Sequence, residues 1–472
     1  MSDTMLDKLI AEQFSDVSVD KRLSRKVGGA DRAIPDFVSD WLVARYTQNG
    51  NLDEGRIEAF LAHHLPDKSQ KESVLYDLQK GATRKILDAY KVRVDVEHDM
   101  LSLEIPCLDK SNATIANSIV DEHPMLLYGN VWGSGTLVKQ PDTKDPDKFR
   151  VHMIDFKPMQ TSRIDLDYYF RSRREFTLRQ WREILVRSMG YNPEFYTQEQ
   201  QMLLLTRLCP MVHPRVNLIE LAPKGTGKSY IYSRLSRYGW LISGGIVTRA
   251  QLFYNMQSRS AGVITRYDAV ILDEVQTIKL GNENEIIGAL KGYLEQGEFR
   301  VMGYKGTADA GFVILANIPI VDSKPSQEEL FSGNMPLWLQ GVNATALLDR
   351  FHGLIPGWEL PKIDKESLCD GLALKADYLG EILHALKNCG THLQWVRDHT
   401  RTAGGIRDIT AVERLAAAYL KLLFPDLTSV PMELFEEHCL IPAKQLRQRI
   451  RTQLAIMDKE YSPELAEIEL HV

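Results

Sequence analysis

The 472-residue sequence is short of cysteine, of long apolar runs and of net charge, and each shortage removes a class of function. Its five cysteines, Cys107, Cys209, Cys369, Cys389 and Cys439, are scattered with no C-x-x-C pair, so neither a disulfide framework nor a zinc site is suggested. No apolar run approaches the roughly 18 to 20 residues of a membrane span, so no membrane partner is expected. The acidic, amphipathic opening M-S-D-T-M-L-D-K-L-I is unlike a signal peptide, which points to a cytoplasmic protein. A formal net charge of -6 argues against wholesale coating of nucleic acid; such a partner must meet a local basic surface. Nothing has the cues of a zinc finger or a basic leucine zipper, so no sequence-reading helix is expected. What remains is an ordinary mixed composition, 44% hydrophobic and 25% charged, in a chain long enough for roughly two to four domains.

The stretch Val216 to Tyr230, V-N-L-I-E-L-A-P-K-G-T-G-K-S-Y, reads as a strand, a glycine-rich turn and a helix. It is a phosphate-binding loop in form. Gly225 and Gly227 permit the tight turn, and Pro223, Lys224, Thr226 and the loop backbone complete a cradle for ATP. Lys228 can reach the terminal phosphates, and the Ser229 hydroxyl can ligate Mg2+. Ala222 stands where the pattern G-x-x-x-x-G-K-[ST] has its first glycine. The cradle from Lys224 to Ser229 does not depend on that position.

Three further signals follow in the order an ATPase requires. D-A-V-I-L-D-E, Asp268 to Glu274, is a buried strand ending in two acids, the form of a Walker B motif. Asp273 is placed to hold the Mg2+ shell and Glu274 to polarise the attacking water. G-F-V-I-L-A-N ends in Asn317, a sensor-1 candidate that can position water against the γ-phosphate. Beyond it come Arg350, in A-L-L-D-R-F-H-G, and Arg407, in G-G-I-R-D-I-T-A-V-E-R-L. Arg350 suits a finger reaching a neighbouring subunit's nucleotide, and Arg407, with Arg414 two turns along its helix, suits a sensor-2 role. Taken singly, either arginine would ordinarily be a surface ion pair.

The fold class expected is an α/β P-loop ATPase core with a helical lid, preceded by a helical domain and a small OB-like β domain. Residues 1–90 alternate apolar and charged positions at helical spacing, with Phe37, Trp41 and Tyr46 read as core. Residues 91–160 change to a period of two, and the polar stretch Pro141 to Asp147 reads as a hairpin tip. Residues 161–197 form a basic linker; from Thr161 to Gly190 it has seven arginines, Arg163, Arg171, Arg173, Arg174, Arg179, Arg182 and Arg187, against four acids. Aromatics are interleaved at Tyr168, Tyr169, Phe170, Phe176 and Trp181. Such a segment can neutralise phosphates and stack on bases, with Arg173 and Arg174 as candidates, or it is an amphipathic helix with a solvated basic face. The nucleotide-binding core occupies 198–361, the lid 362–430, and a C-terminal basic segment 431–472.

The order of these motifs resembles the AAA+ ATPases, and one segment is similar to MCM replicative helicases. Y-L-E-Q-G-E-F-R-V-M-G-Y-K-G, Tyr293 to Gly306, resembles their pre-sensor-1 hairpin, whose tip lysine contacts DNA in a central pore. The resemblance carries that role to Lys305, with Arg300 and Tyr304 beside it. M-L-D-K-L-I-A-E-Q-F, I-P-D-F-V-S-D-W-L, A-P-K-G-T-G-K-S-Y and E-R-L-A-A-A-Y-L-K-L-L-F-P together resemble the BrxL family, Lon-like ATPases of bacterial BREX phage-defence systems. That resemblance implies a DNA-binding AAA+ ring, a hexamer or double hexamer acting on DNA without sequence preference, with other BREX proteins as further partners. Members commonly carry a Lon-protease-like domain after the lid. Here too few residues follow for one and no Ser-Lys dyad can be nominated, so proteolysis is not expected. A protein-remodelling unfoldase is the alternative, and a nucleotide-gated clamp with negligible turnover a third reading, against which the intact Glu274 argues.

Overall fold

The computed structural model describes residues 5–27, 34–48, 51–95, 100–127, 130–142, 148–159, 164–257, 259–319 and 325–471. They fall into two compact units, one of Val17–Ile164 with Lys375–Tyr378 and the other of the remainder.

In the first unit a short helix at Lys21–Val27 and three longer ones, α1 (Asp36–Tyr46), α2 (Glu54–His64) and α3 (Lys71–Gln79), precede a barrel. The Asp53 carboxylate caps α2 by accepting from the Arg56 N–H. Phe37 is core as expected; Trp41 and Tyr46 are half-buried, each with its ring against Phe60. The barrel strands are β1 (Arg84–Asp95), β2 (Met100–Ile105), β3 (Lys110–Ile115), β4 (Val131–Pro141) and β5 (Phe149–Pro158). They close in the order β1-β2-β3-β5-β4. Only β3 and β5 run parallel, and helix α4 (Asn117–Glu122) lies in the connection from β3 to β4. Tyr90, Leu103, Leu137, Met153 and Phe156 fill the interior. The expected boundary at residue 90 falls inside β1, whose pairing with β4 begins at Arg84. The expected tip is closed by the Asp142 N–H donating to the Lys148 carbonyl at 2.8 Å; Thr143 to Asp147 lie outside the described residues.

The second unit is built on five parallel strands, β6 (Leu218–Ala222), β7 (Gly239–Val247), β10 (Ala269–Leu280), β13 (Gly311–Asn317) and β14 (Gly353–Pro356). Between these lie two short hairpins, β8 (Tyr254–Asn255) with β9 (Ser260–Ala261) and β11 (Glu298–Val301) with β12 (Tyr304–Thr307). The sheet order is β7-β10-β13-β6-β14. β6 and β13 are almost wholly buried, as a parallel strand covered on both faces must be, and apart from Glu220 in β6 and the terminal Asn317 in β13 they are apolar. Because every strand runs the same way, the residues leaving their C-terminal ends gather at one edge. Helices α5 (Leu166–Arg174), α6 (Leu178–Ser188), α7 (Lys228–Arg234), α8 (Glu283–Gln296), α9 (Gly341–Leu348), α10 (Ala376–Lys387), α11 (Thr391–Asp398), α12 (Ile406–Leu423) and α13 (Ile441–Met457) accompany the sheet, with further helices at Met5–Gln13 and Gln198–Thr206.

The basic linker is corrected by this arrangement. Arg173 is 8% exposed, donates to the carbonyls of Leu423 and Phe176, and lies over the Trp181 ring. Arg182 and Arg187 are buried too, the latter paired with Asp7 at 2.8 Å. Phe14, Tyr169, Phe176 and Trp181 form one buried aromatic cluster. Arg174 is committed to Asp426 and Thr428. Arg173 and Arg174 are thus committed to tying α5 to the end of α12, and the buried Arg173 is not placed to meet a phosphate, while Arg171 and Arg179 remain exposed; Arg163 lies outside the described residues.

Candidate nucleotide site

The phosphate loop leaves the end of β6 with Gly225 and Gly227 at φ of 88° and 72°. At Gly227 a Cβ would stand 2.4 Å from Ile363 Cδ1 and 2.6 Å from the Tyr191 hydroxyl, so backbone angle and space both demand glycine. The loop's carbonyls are tied into the protein. Ile363 N–H donates to Gly225 at 2.8 Å, and Arg207 donates to Thr226 at 3.1 Å and to Gly227 at 3.5 Å. Holding the carbonyls back is what a loop needs if its N–H groups are to face an anion. Arg207 is itself held by Glu220 of β6, at 2.6 and 3.1 Å, and both side chains are fully buried. The alanine in place of the first motif glycine is accommodated from the other side. Gly357 packs so closely on Ala222 that a Cβ there would lie 2.4 Å from the alanine methyl.

Lys228, at the start of α7, is 6% exposed, and its Nζ donates to Asn317 Oδ1 at 2.8 Å and to the Pro223 carbonyl at 3.1 Å. Burial lowers its pKa, opposed by the negative charge of Glu220. Ser229 follows, half-buried. Asn317 is paired in register with Ala222, which places the end of β13 beside the start of the loop. Asp273 ends the regular part of β10, opposite Ser243 of β7. There the register slips, and Glu274 is exposed with φ +50°, unusual for a residue with a Cβ. Its N–H donates to Asp273 Oδ1 at 2.9 Å. Backbone held in so sparsely populated a region, next to a nucleotide loop, is where functional strain collects. Gly225 to Ser229, Asp273, Glu274 and Asn317 therefore share one edge of the sheet, and Ser229 with Asp273 offers hard oxygen donors of the kind a divalent cation would need beside phosphate.

The two arginines lie elsewhere. Arg350 lies three residues before β14, whose first residue, Gly353, pairs with Leu218, the first of β6. The loop leaves the far end of that strand, so Arg350 stands at the opposite edge of the sheet from its own chain's Lys228. Arg407 is beside it, away from the Lys228 edge of its own chain. Its Nη1 donates to Asp349 Oδ2 at 2.8 Å, and a single carboxylate, Glu295 on the last turn of α8, binds both guanidinium groups. Arg414 is farther along α12, half-buried, with its pKa lowered to about 10 by burial and the nearby Arg215 charge.

The hairpin β11–β12 turns through Met302 and Gly303, at φ of 45° and 88°. The expected tip lysine is displaced by this turn. Lys305 lies on the returning strand, opposite Arg300, and pairs with Glu298 at 3.0 Å; Met302 is the exposed tip. Tyr304 stacks on Tyr254 of β8 with centroids 3.8 Å apart, so the two hairpins brace one another.

Comparison with known proteins decides the family. Residues 151–467 match the family described as "Lon-like protease BrxL-like, ATPase domain", and residues 12–138 match "BREX system Lon protease-like protein BrxL N-terminal". The chain belongs to the BrxL family. It is similar to the Lon-like protease BrxL of Escherichia coli O9:H4 (strain HS), 28% identical over 462 residues that cover 95% of this chain and 64% of that protein. It is equally similar, at 28% over 454 residues, to the Lon-like protease BrxL of Bacillus cereus (strain H3081.97), covering 93% of this chain and 65% of that one. The chain thus spans slightly less than two thirds of the length of these relatives. An ATPase domain of the BrxL family is an AAA+ type α/β fold that uses a nucleotide, which agrees with the five-stranded sheet and its loop. No helix among the described residues is long and apolar enough to cross a membrane.

Three residues of this BrxL-family site had no role in the sequence reading: Arg207, Glu295 and Tyr254. Glu220 offered a signal for the first, since a charge inside the buried strand L-I-E-L-A requires a buried partner. Nothing in the sequence signalled the others.

Proposed function

We propose that the chain is a subunit of an ATP-hydrolysing, DNA-binding ring in a bacterial BREX phage-defence system, with each active site shared between neighbours. The observation that carries this reading is the separation of the Lys228, Asp273 and Asn317 edge from the Arg350 edge of the same sheet. An arginine that cannot reach its own nucleotide is available to the next subunit's. In this scheme Ser229 and Asp273 would hold Mg2+, which would supply positive charge to offset that of the phosphates. Glu274 polarises the attacking water, Asn317 and Lys228 fix the γ-phosphate, and Arg350 of the adjoining copy meets the charge that develops in the transition state. Arg407 travels with Arg350 and is offered across the same boundary. A hexamer or double hexamer is the assembly this implies.

The barrel order β1-β2-β3-β5-β4, with a helix between the third and fourth strands, supports an OB-like reading of the first unit, an architecture used on nucleic acid. The helices α10, α11 and α12 serve as the lid. Arg300 and Lys305, exposed on paired strands, grip DNA phosphates without reading sequence, and Tyr304 braces them. The exposed Met302 at the tip favours a second reading, a polypeptide-threading unfoldase, since such loops grip with apolar groups. ATP turnover measured with duplex DNA and, separately, with an unfolded polypeptide decides between them. Stimulation by DNA alone is expected; stimulation by polypeptide alone would transfer the proposal to the unfoldase.

A further inference from the structure

Glu295 stands where three elements meet, one residue before the end of α8 and three before the first residue of β11. Its Oε2 accepts from Arg350 Nε at 3.1 Å and Nη2 at 2.7 Å, and its Oε1 accepts from Arg407 Nε at 3.2 Å and Nη2 at 2.8 Å. Each carboxylate oxygen thus takes two arms of one guanidinium, a geometry that fixes the plane of the arginine as well as its position. Two cations brought this close repel, and the carboxylate between them offsets the repulsion. The far side of Arg407 is fixed in turn, by Asp349, whose other oxygen is held by the buried Arg447 at 2.6 Å. Arg447 is anchored to Asp408 at 2.8 Å and to the carbonyls of Asp349 and Phe351. The result is a chain of alternating charges running from a buried anchor to a partly exposed end. Arg350 is its last member.

From this arrangement we infer that Glu295 is a positioning residue for hydrolysis in the neighbouring subunit, holding Arg350 and Arg407 as one preorganised pair. The inference rests on the shared-site reading above. Hydrogen bonding from Arg407 lowers the Glu295 pKa, with Arg350 acting in the same direction against the effect of burial, so the clamp is ionised at neutral pH. A free arginine side chain loses rotamer freedom on meeting a phosphate, whereas one already held at two nitrogens has less to lose. Glu295 touches no nucleotide in this scheme and acts only through the arginines.

The test is a mutant cycle on the assembled full chain, reading kcat and the KM for ATP. Glu295→Ala is expected to lower kcat by about 10^2-fold, the scale of a misplaced catalytic group. KM should stay within about two-fold, because the interaction removed is made only in the transition state. In the Arg350→Ala background the same substitution should cost far less, since residues acting through one another are not additive. Glu295→Gln keeps the shape without the charge and should fall between; should Glu295→Ala fail to fold, the same cycle run with Glu295→Gln decides the matter. If Arg350→Ala loses turnover but Glu295→Ala retains the wild-type kcat, the role of Glu295 is overturned and the shared site stands. The role of Glu295 is equally overturned if the double variant shows the full product of both losses. If Arg350→Ala itself turns over normally, the shared-site reading fails and takes this inference with it.

Discussion

Lys228 and Asn317 are joined across the floor of the site, Nζ to Oδ1 at 2.8 Å, although 89 positions separate them in the chain. The bond exists because β13 lies beside β6 in the sheet, so the residue that ends one strand faces the loop that follows the other. The lysine expected to hold the terminal phosphates and the amide expected to position water are therefore set as a pair. Asn317→Ala should leave ATP binding intact and lower turnover, while Lys228→Ala should lose binding as well. Glu274→Gln should bind ATP and assemble but not hydrolyse it, because the water-polarising carboxylate is gone and the Mg2+ donors remain. Nucleotide binding by fluorescence and phosphate release distinguish the three; wild-type phosphate release by Glu274→Gln would remove that residue from the mechanism.

Arg350→Ala should bind nucleotide normally yet lose roughly 10^3-fold or more of turnover, the scale of arginine fingers. Mixed with Lys228→Ala subunits it should regain partial activity, because some boundaries then join an intact loop to an intact finger. Mass spectrometry establishes that mixed rings have formed. Their inactivity would count against a site completed by the neighbour.

The parts of this site that were legible in the sequence are those whose chemistry is local. Gly225, Gly227, Lys228 and Ser229 are tied to one turn, and Asp273, Glu274 and Asn317 to the ends of apolar strands. The pairing of Arg407 with Arg350 through Glu295 depends on how α12 packs against the end of α8, which no spacing encodes. Arg173 was misread because counting arginines does not register burial, and its carbonyl partner Leu423 is 250 positions away. A family resemblance puts Lys305 at the hairpin tip, but which residues turn depends on backbone conformation, and the left-handed backbone at Met302 and Gly303 sets the tip before it. For Tyr254 and Glu295 the information was long-range throughout.

The buried pair Arg207 and Glu220 supports the phosphate loop from beneath. Arg207→Ala leaves the carboxylate without its partner at a fully buried position and should destabilise the chain by about 3 to 5 kcal/mol. Replacing both by methionine removes the stranded charge, and stability should largely return. Nucleotide affinity should not, because the Thr226 carbonyl still lacks its donor. Chemical denaturation and ATP titration of the single and double variants read these effects separately. Equal stability losses in the two would show that the cost comes from disrupted packing.

Stability should fall on mild acidification. Burial, aided by Lys421 and Arg414, holds the His213 pKa well below the ordinary imidazole range; burial with Arg414 and Arg447 does the same at His352. Burial and Lys421 lower His392 to about 4. All three are neutral in the fold at pH 7, and His352 Nδ1 accepts the Asn217 N–H at 2.8 Å. In the unfolded chain they take up protons near about pH 6.5. Between that pH and their folded pKa values the unfolded state binds more protons, so stability declines as pH falls. Each group can contribute up to about 1.4 kcal/mol per pH unit in that window. Asp349, whose carboxyl Arg447 and Arg407 hold below the usual range against its burial, adds its own loss only at lower pH. A Tm that stays level between pH 6.5 and 5 would contradict this account.

DNA should be gripped inside the ring by the β11–β12 hairpin. Arg300 and Lys305 face one another across the strands and are exposed, and Phe299 beneath them is buried, so the cations project from a fixed base. They should meet phosphates, making binding nearly independent of sequence and steeply dependent on salt. Removing one lysine–phosphate interaction should reduce the slope of log K against log salt by about 0.9 on duplex DNA. A ring repeats its hairpin in every subunit, so Lys305→Ala deletes several such interactions together and the slope should fall by more than roughly one unit, with ATP affinity unchanged. Part of the lysine's charge is already met by Glu298, and Glu298→Gln should therefore raise DNA affinity by releasing Lys305 to phosphate. Arg174→Ala is the matched control, since that arginine is committed to Asp426 and Thr428 and its removal should leave the slope alone. Met302→Ala separates grip by charge from grip by the apolar tip. If DNA binding survives Lys305→Ala with its slope intact but fails in Met302→Ala, the cationic strands do not hold the DNA and the tip does.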